Sequence, residues 1–377
     1  PQDYYFGSVD TRAGSDTRAI AAFGQADWKI GDRLTLTGGL RWTQERKTLT
    51  RFFQFTPPGG PPLPVGIEID KDDDVHATFD NVSPTLIATF AVNDEVNVYG
   101  KYAVGFRSGG YNGEISAATA PDPAAAIASA TPYEPEYNKS FEIGLKSQLF
   151  DRTVQFNVAA FSNKEEDKQV SVFTPGVAAG SVVRNAGKAT NKGLEVEIQW
   201  VPNDFISLGG SFGRIWRKYK EFCDTPATPQ PGASCGGQAG QVNVAENRQF
   251  AHSPKITASV NGSATLVETD NGKLSFIADA QYYSSFAGLE TAKRYDPRFP
   301  SVVVAPIIPS LWLVNAQLRF ADYEVGGGKA YASLWARNIF DERKLTNALD
   351  FGSTFGYMRI GNYSEPRTYG LTVGYRY

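Results

Sequence analysis

The spacing between segments constrains this chain more than any one segment does. Runs of alternating apolar and polar residues recur near 17–30, 33–54, 75–92, 95–107, 138–150, 153–174, 182–201, 205–221, 250–268, 273–287, 308–321, 330–347 and 366–377. The gaps between them alternate strictly. Short gaps are Gly31-Asp32, Asn93-Asp94, Asp151-Arg152, Pro202 to Asp204, Asp270 to Gly272 and Asp322 to Gly328. Long gaps fall near 55–73, 108–137, 175–181, 222–249, 288–307 and 348–365, and carry Pro, Gly, Asp and Ser. A soluble sandwich has no reason to sort loops by parity, whereas an outer-membrane barrel has short turns at its periplasmic end and long loops at its extracellular end. The pattern predicts an all-β chain, a transmembrane antiparallel up-and-down β-barrel to which these residues contribute roughly thirteen strands.

The faces of the strands agree. In the last run, Tyr369, Leu371, Val373, Tyr375 and Tyr377 share one face, while Thr368, Gly370, Thr372, Gly374 and Arg376 share the other. The same split puts Phe141, Ile143, Leu145 and Leu149 opposite Glu142, Gly144, Lys146 and Gln148, and Leu194, Val196, Ile198 and Trp200 opposite Glu195, Glu197 and Gln199. A half-buried soluble sheet alternates too. The aromatics separate the cases, because Trp28, Phe150, Trp200, Phe320 and Tyr377 lie beside short turns or at the chain end, where a membrane interface needs them.

Composition removes other classes. With 37 Gly and 18 Tyr against one Met, the chain favours strands and turns. A mean hydropathy of −0.31 and no apolar run of about 18 residues exclude a membrane helix but not a barrel, since alternation averages out. A net charge of −3 without a basic stripe argues against nucleic acid. Two His and two Cys give no convincing catalytic triad or His-based metal centre, and no nucleotide-binding Gly-rich unit is present, so neither an enzyme nor a cofactor is expected.

Short motifs then carry a family resemblance across nearly the whole chain. They are Ala22 to Gln25 with Leu34 to Trp42, Tyr102 to Asn112, Tyr133 to Glu136 before Phe141 to Lys146, Asn185 to Gly187 before Gly193 to Glu197, Ala336 to Asp341, and Pro366 to Gly370. In this order they resemble the C-terminal part of the barrel of a TonB-dependent outer-membrane receptor. The resemblance implies a barrel of about 22 strands closed by a separate plug, so that 1–377 forms the C-terminal barrel part and about nine strands and the plug lie elsewhere. Pro1 is not an initiator and no signal peptide follows it, which fits that expectation. The implied function is binding of a scarce nutrient at the extracellular face of the bacterial outer membrane, first a ferric siderophore, and import driven by the TonB inner-membrane complex acting through the N-terminal region. The implied partners also include outer-membrane lipid and, through the C-terminal strand, the barrel-assembly machinery. A passive porin-like channel and TonB-dependent uptake of carbohydrate or cobalamin stay open.

Ligand contacts are expected from Arg and Tyr at the extracellular rim. Strand phase places Arg107 in the lumen beside Tyr111 and Asn112, able to offer paired hydrogen bonds and a stacking face; the alternative is a structural ion pair. Arg294, Tyr295, Arg298, Tyr357 and Arg359 form a second set on long loops, and solvated loop residues would look the same. Lumenal Arg41 is expected to be an ion-pair partner. The acidic run Glu68 to Asp74, and similarly Glu165, Glu166 and Asp167, reads as a solvated tip, with Ca²⁺ binding at 68–74 as the alternative. Cys223 and Cys235 in one long loop favour a disulfide over free thiols.

Overall fold

The computed structural model describes residues 8–56, 60, 67–113, 130–174, 180–185, 187–228, 230–236, 238–300, 302–350, 356 and 358–377. Thirteen strands form one antiparallel path. They are β1 (Ser8–Ile30), β2 (Leu34–Thr56), β3 (His76–Ala91), β4 (Val96–Arg107), β5 (Glu136–Leu149), β6 (Val154–Glu166), β7 (Gly187–Asn203), β8 (Ile206–Asp224), β9 (Ile256–Thr269), β10 (Gly272–Tyr283), β11 (Leu311–Val325), β12 (Gly328–Arg337) and β13 (Thr368–Arg376). Each pairs with its neighbours in sequence without crossover, and β1 and β13 are not paired to each other, so the sheet is a partial barrel with two open edges. β1 and β2, at 23 residues each, are about twice the length a tilted strand needs to cross a bilayer, and their excess lies at the long-loop end.

The turns follow from local chemistry. The Asn93 side chain accepts hydrogen bonds from the backbone of Glu95 and Val96 at 2.9 and 2.8 Å, closing the β3–β4 turn. Gly326 and Gly327, with φ of 57° and 83°, make a two-residue turn between β11 and β12, so β11 continues to Val325 through the segment expected to be a loop. β1 begins at Ser8, well before the expected 17, and three further interruptions of the expected runs fall at residues with positive φ, a backbone region that regular strands do not use. Asp167 (φ 51°) ends β6, and Gln169–Thr174 instead pairs with Gly180–Asn185 as a separate hairpin. His252 (φ 46°) delays β9 to Ile256. Asn338 (φ 47°) ends β12, its side chain binding the carbonyls of Glu342 and Glu365, and Leu345–Asp350 pairs with Arg359–Tyr363.

Register lines the two faces up around the sheet. Val158, Val196 and Phe212 lie side by side on β6, β7 and β8, as do Phe276 and Leu318, and Leu334 and Leu371. Val158 and Val196 are half-buried and the other outward residues of these rows are exposed, as are Ile143 at 57% and Val373 at 71%; Trp28, Phe150, Trp200, Phe320 and Tyr377 are exposed at the short-turn end. No such surface is tolerable in water; it is what hydrocarbon covers. Buried apolar clusters lie instead under the long loops. One joins Val170, Ala189, Tyr219, Phe222, Val244, Ala245 and Phe299; another joins Leu49, Ile69 and Ala130.

Outward and inward phases make opposite predictions for one substitution. Val196→Arg should destabilise the barrel by about 2–4 kcal/mol in lipid, while Glu197→Arg, one residue along and facing inward, escapes the lipid penalty. Urea unfolding in lipid vesicles measures both, and equal losses would refute the assigned phase.

Candidate functional site

The long-loop end of β8 creates an opening in the wall. β8 pairs with β9 only as far as Arg214–Ile256, one further bond runs from Ile215 N–H to the Lys255 carbonyl, and β8 next finds a partner at Cys223–Asn243. Between these points the chain from Val244 to Lys255 leaves the ladder and packs on β8 through side chains, Val244 N–H still reaching the Phe222 carbonyl at 2.8 Å. A cleft of about 420 Å³ fills the space, lined by Arg217, Tyr219, Arg248, Phe250, Lys255 and Lys293 among others. A second cleft of about 610 Å³ shares Lys218 and Tyr219 and adds Arg294, Tyr295 and Arg298.

Aromatic rings and cations are interleaved here. Tyr219 and Phe250 stack with centroids 4.0 Å apart and planes 5° apart, and the Arg217 guanidinium lies 3.9 Å from the Phe250 centroid on that ring. Tyr219 is 2% exposed, and its hydroxyl has no hydrogen-bond partner among the described residues. Arg248, also buried, donates to Asp224 at 2.6 Å and lies near the rings of Phe222 and Phe299; Arg184 reaches the other Asp224 oxygen at 3.0 Å. One carboxylate thus holds two guanidiniums, so excess positive charge remains at the cleft. Burial pushes the Arg248 pKa down, opposed by its bond to Asp224. The Lys293 ammonium donates to the Glu246 carbonyl at 2.9 Å.

Behind Arg217 lies a knot of charges. Glu165, 8% exposed, accepts from Arg217 at 3.3 Å and pairs with Lys168 at 3.0 Å, while Glu136 accepts from the Gln169 backbone at 2.9 Å. Glu290 sits against this knot, and its pKa is raised above 4.5, first by burial and then by Glu165 and Glu136, against the pull of Lys168 and Arg217. The expectation of a solvated acidic tip at 165–167 is therefore corrected at Glu165. Its neighbour Glu166 points outward and pairs with Lys139 at 2.6 Å. The phase of β6 separates Glu165 from Glu166, and the phase of β8 turns Arg217 inward; that was the available signal.

The other expected positions divide. Arg107 ends β4 opposite Glu136, exposed, with no ion pair among the described residues. Tyr111 packs on Leu49, Ile69 and Ala130, and burial raises its pKa. The Asn112 amide exchanges hydrogen bonds with the Val183 backbone at 2.8 and 2.7 Å, tying its loop to the hairpin. Arg294 and Tyr295 are exposed in the second cleft; Arg298 is held by Asp296 at 2.8 Å, which keeps that carboxyl below its usual range. Arg359 pairs with buried Asp350 at 2.6 Å. Tyr357 lies outside the described residues. Arg41, expected in an ion pair, instead donates to the Thr43 hydroxyl at 3.1 Å and faces the Phe23 ring at 5.9 Å. In the run 68–74, Asp70 caps its own turn through Asp72 and Asp73, Asp74 pairs with Arg46 at 2.9 Å, and Lys71 pairs with Asp16 at 3.2 Å. Among the described residues no group of His, Cys, Asp and Glu is arranged to hold a metal. Cys223 and Cys235 are joined in a disulfide with Cα atoms 5.5 Å apart.

Comparison with known proteins bears on this geometry. Residues 1–339 match the model of the family described as TonB dependent receptor-like, beta-barrel. The pesticin receptor of Yersinia enterocolitica is 27% identical over 183 residues, 48% of this chain and 23% of that protein. The ferric yersiniabactin uptake receptor of Yersinia pestis superposes with a TM-score of 0.67 at 18% identity, covering 97% of this chain and 46% of that one. The ferric-catecholate import receptor of E. coli K12 in its closed form gives 0.63 at 18% identity, covering 96% and 45%. This chain therefore spans less than half the length of each of these three relatives, and the structural likenesses are likenesses of fold.

Two outcomes follow. A glutamate whose folded pKa is raised contributes stability below its ordinary value and loses it as pH rises through the raised one. Protection of the 288–300 backbone from hydrogen exchange should fall over that rise, and Glu290→Gln should remove this part of the pH dependence; an unchanged profile would refute the assignment. Replacing Cys223 and Cys235 by Ser should cost about 3 kcal/mol of stability, read by denaturant unfolding with and without reductant. An unfolding curve indifferent to both would show the crosslink to be unimportant.

Proposed function

This chain belongs to the TonB-dependent receptor-like β-barrel family of the bacterial outer membrane, and from that premise we propose that it is the C-terminal barrel part of a receptor that imports a ferric siderophore by TonB-dependent transport. The observation that carries the reading is the pair of clefts at the extracellular end, where Arg217, Lys255, Lys293 and Arg294 surround the Tyr219–Phe250 stack. An anionic chelate matches the cations by charge-assisted hydrogen bonding, and the stack of buried Tyr219 on Phe250 serves it indirectly by holding Arg217 against the Phe250 ring. A neutral sugar would not call for so many cations. Arg107, Arg294 and Tyr295 supply the outer rim of this ligand surface.

No bond is made or broken in the proposed cycle. The ligand is captured at the clefts and released inward when the inner-membrane complex acts on the N-terminal region. During assembly the strand bearing Tyr369, Leu371, Val373, Tyr375 and Tyr377 would engage the assembly machinery, before the remaining strands of the whole protein pair with its edge away from β12. The plug and remaining strands belong to the whole protein.

The full-length protein in an outer membrane should take up labelled ferric chelates, and a proton uncoupler should abolish that uptake. Arg217→Ala should weaken chelate binding roughly 10–100-fold, the cost of one charge-assisted contact to a buried ligand. Uncoupler-insensitive flux would instead establish a passive channel, and cobalamin or carbohydrate uptake without ferric uptake would redirect the substrate.

A further inference from the structure

The outer face of β5 to β8 changes character near the long-loop end. Following register upward, Phe141, Ser162, Lys192 and Trp216 form one row, and Lys139, Lys164, Thr190 and Lys218 the next. Arg214 lies one row lower, opposite Leu194, with its guanidinium 4.8 Å from the Trp216 centroid. These residues share the outward phase of Ile143, Val158, Val196 and Phe212, so they project to lipid rather than into the lumen. From Trp200 to Lys192 is eight residues, about 20 Å of height for a strand tilted near 40°. An apolar band is about 25 Å tall, which sets the cations at its upper border. Neighbouring strands are about 4.8 Å apart, so the patch is about 15 Å wide.

Little inside the protein balances it. Lys139 and Lys164 stand directly opposite each other, a repulsive arrangement in a sheet. Glu166 neutralises Lys139, but Lys164, Lys192 and Lys218 make no ion pair among the described residues. The charge is also local. At the corresponding border on β10 and β11 the outward residues are Tyr282 and Trp312, whose rings lie 4.7 Å apart. A general need for interfacial side chains is met there by aromatics, so it does not by itself call for cations on β5 to β8.

We propose that Lys139, Lys164, Lys192, Arg214 and Lys218 form a binding site for the phosphate groups of an anionic glycolipid of the outer leaflet. The lipid's chains lie along the apolar rows from Phe141, Ile143, Val196 and Phe212, and its phosphates meet the cations above. Trp216 offers its ring to the sugar. The site is on the opposite face of the wall from Arg217; it borders the clefts only at Lys218, and Lys139, Lys164, Lys192 and Arg214 line neither of them.

The test uses the full-length protein, purified from outer membranes in mild detergent, with co-purifying glycolipid quantified by native mass spectrometry. Wild type should retain phosphorylated glycolipid, and Lys164→Gln/Lys192→Gln should lose about fivefold in affinity per lysine, roughly 25-fold together. Lys164→Arg/Lys192→Arg should retain it, and heat-modifiable electrophoretic mobility should report a folded barrel in all three. If the double Gln variant does not assemble, titrating wild type with glycolipid before and after enzymatic dephosphorylation gives the same reading. Equal retention by the Gln variant, equal binding of dephosphorylated glycolipid, or displacement by millimolar inorganic phosphate would overturn the proposal.

Discussion

Hydrocarbon offers no partner for a backbone N–H or C=O, and the rest of this structure depends on that constraint. Every residue inside the bilayer must place its backbone in a ladder, and the ladder allows only two directions for side chains. One direction is lipid and the other is lumen. The rows that run across β6, β7 and β8 through Val158, Val196 and Phe212 follow from pairing alone, without any hydrophobic core in the wall. Where the chain leaves the bilayer the constraint lapses, and at that level the strand boundaries become irregular: Asp167, His252 and Asn338 all take positive φ at the long-loop end.

Above that level water returns and the usual rule of burial returns with it. The clusters around Phe222 and Leu49 are ordinary apolar cores assembled from loops. They give the clefts rigid walls. Phe222 carries Arg248 on its face, Phe250 carries Arg217, and the Cys223–Cys235 bond ties the top of β8 to the loop that follows. Cations held against rings lose less freedom on meeting an anion than cations on long free stems. The opening beside β8 therefore presents recognition groups that are already held in place.

The wall was legible in the sequence because its logic is local. Period two, short turns and interfacial aromatics are properties of neighbouring residues, and the expected run at 95–107 differs from Val96–Arg107 by one residue. The clefts were not legible to the same degree. Arg217 meets Phe250, Arg248 meets both Asp224 and the surroundings of Arg184, and Asn112 meets Val183, contacts set by how long loops fold over one another. No periodicity encodes those pairings. Residue type alone picked Arg294 and Tyr295, which do line a cleft, and equally picked Arg359, whose guanidinium is spent on Asp350. Strand phase held more information than residue type, for it separates Glu165 from Glu166 and Arg217 from Lys218.

That separation has a physical consequence for how one strand serves two environments. On β8, Arg217 faces the charge knot of Glu165 and Lys168 while Lys218, the next residue, shares its row with Thr190 and Lys164 on the outer face. Two cations adjacent in sequence sit on opposite sides of a wall one strand thick. The inner one is matched by a buried carboxylate, whose removal would strand it at low dielectric. The outer one has solvent and lipid headgroups within reach and needs no protein partner. A barrel can thus carry cations on both faces of the same strand, provided that their compensation comes from different phases.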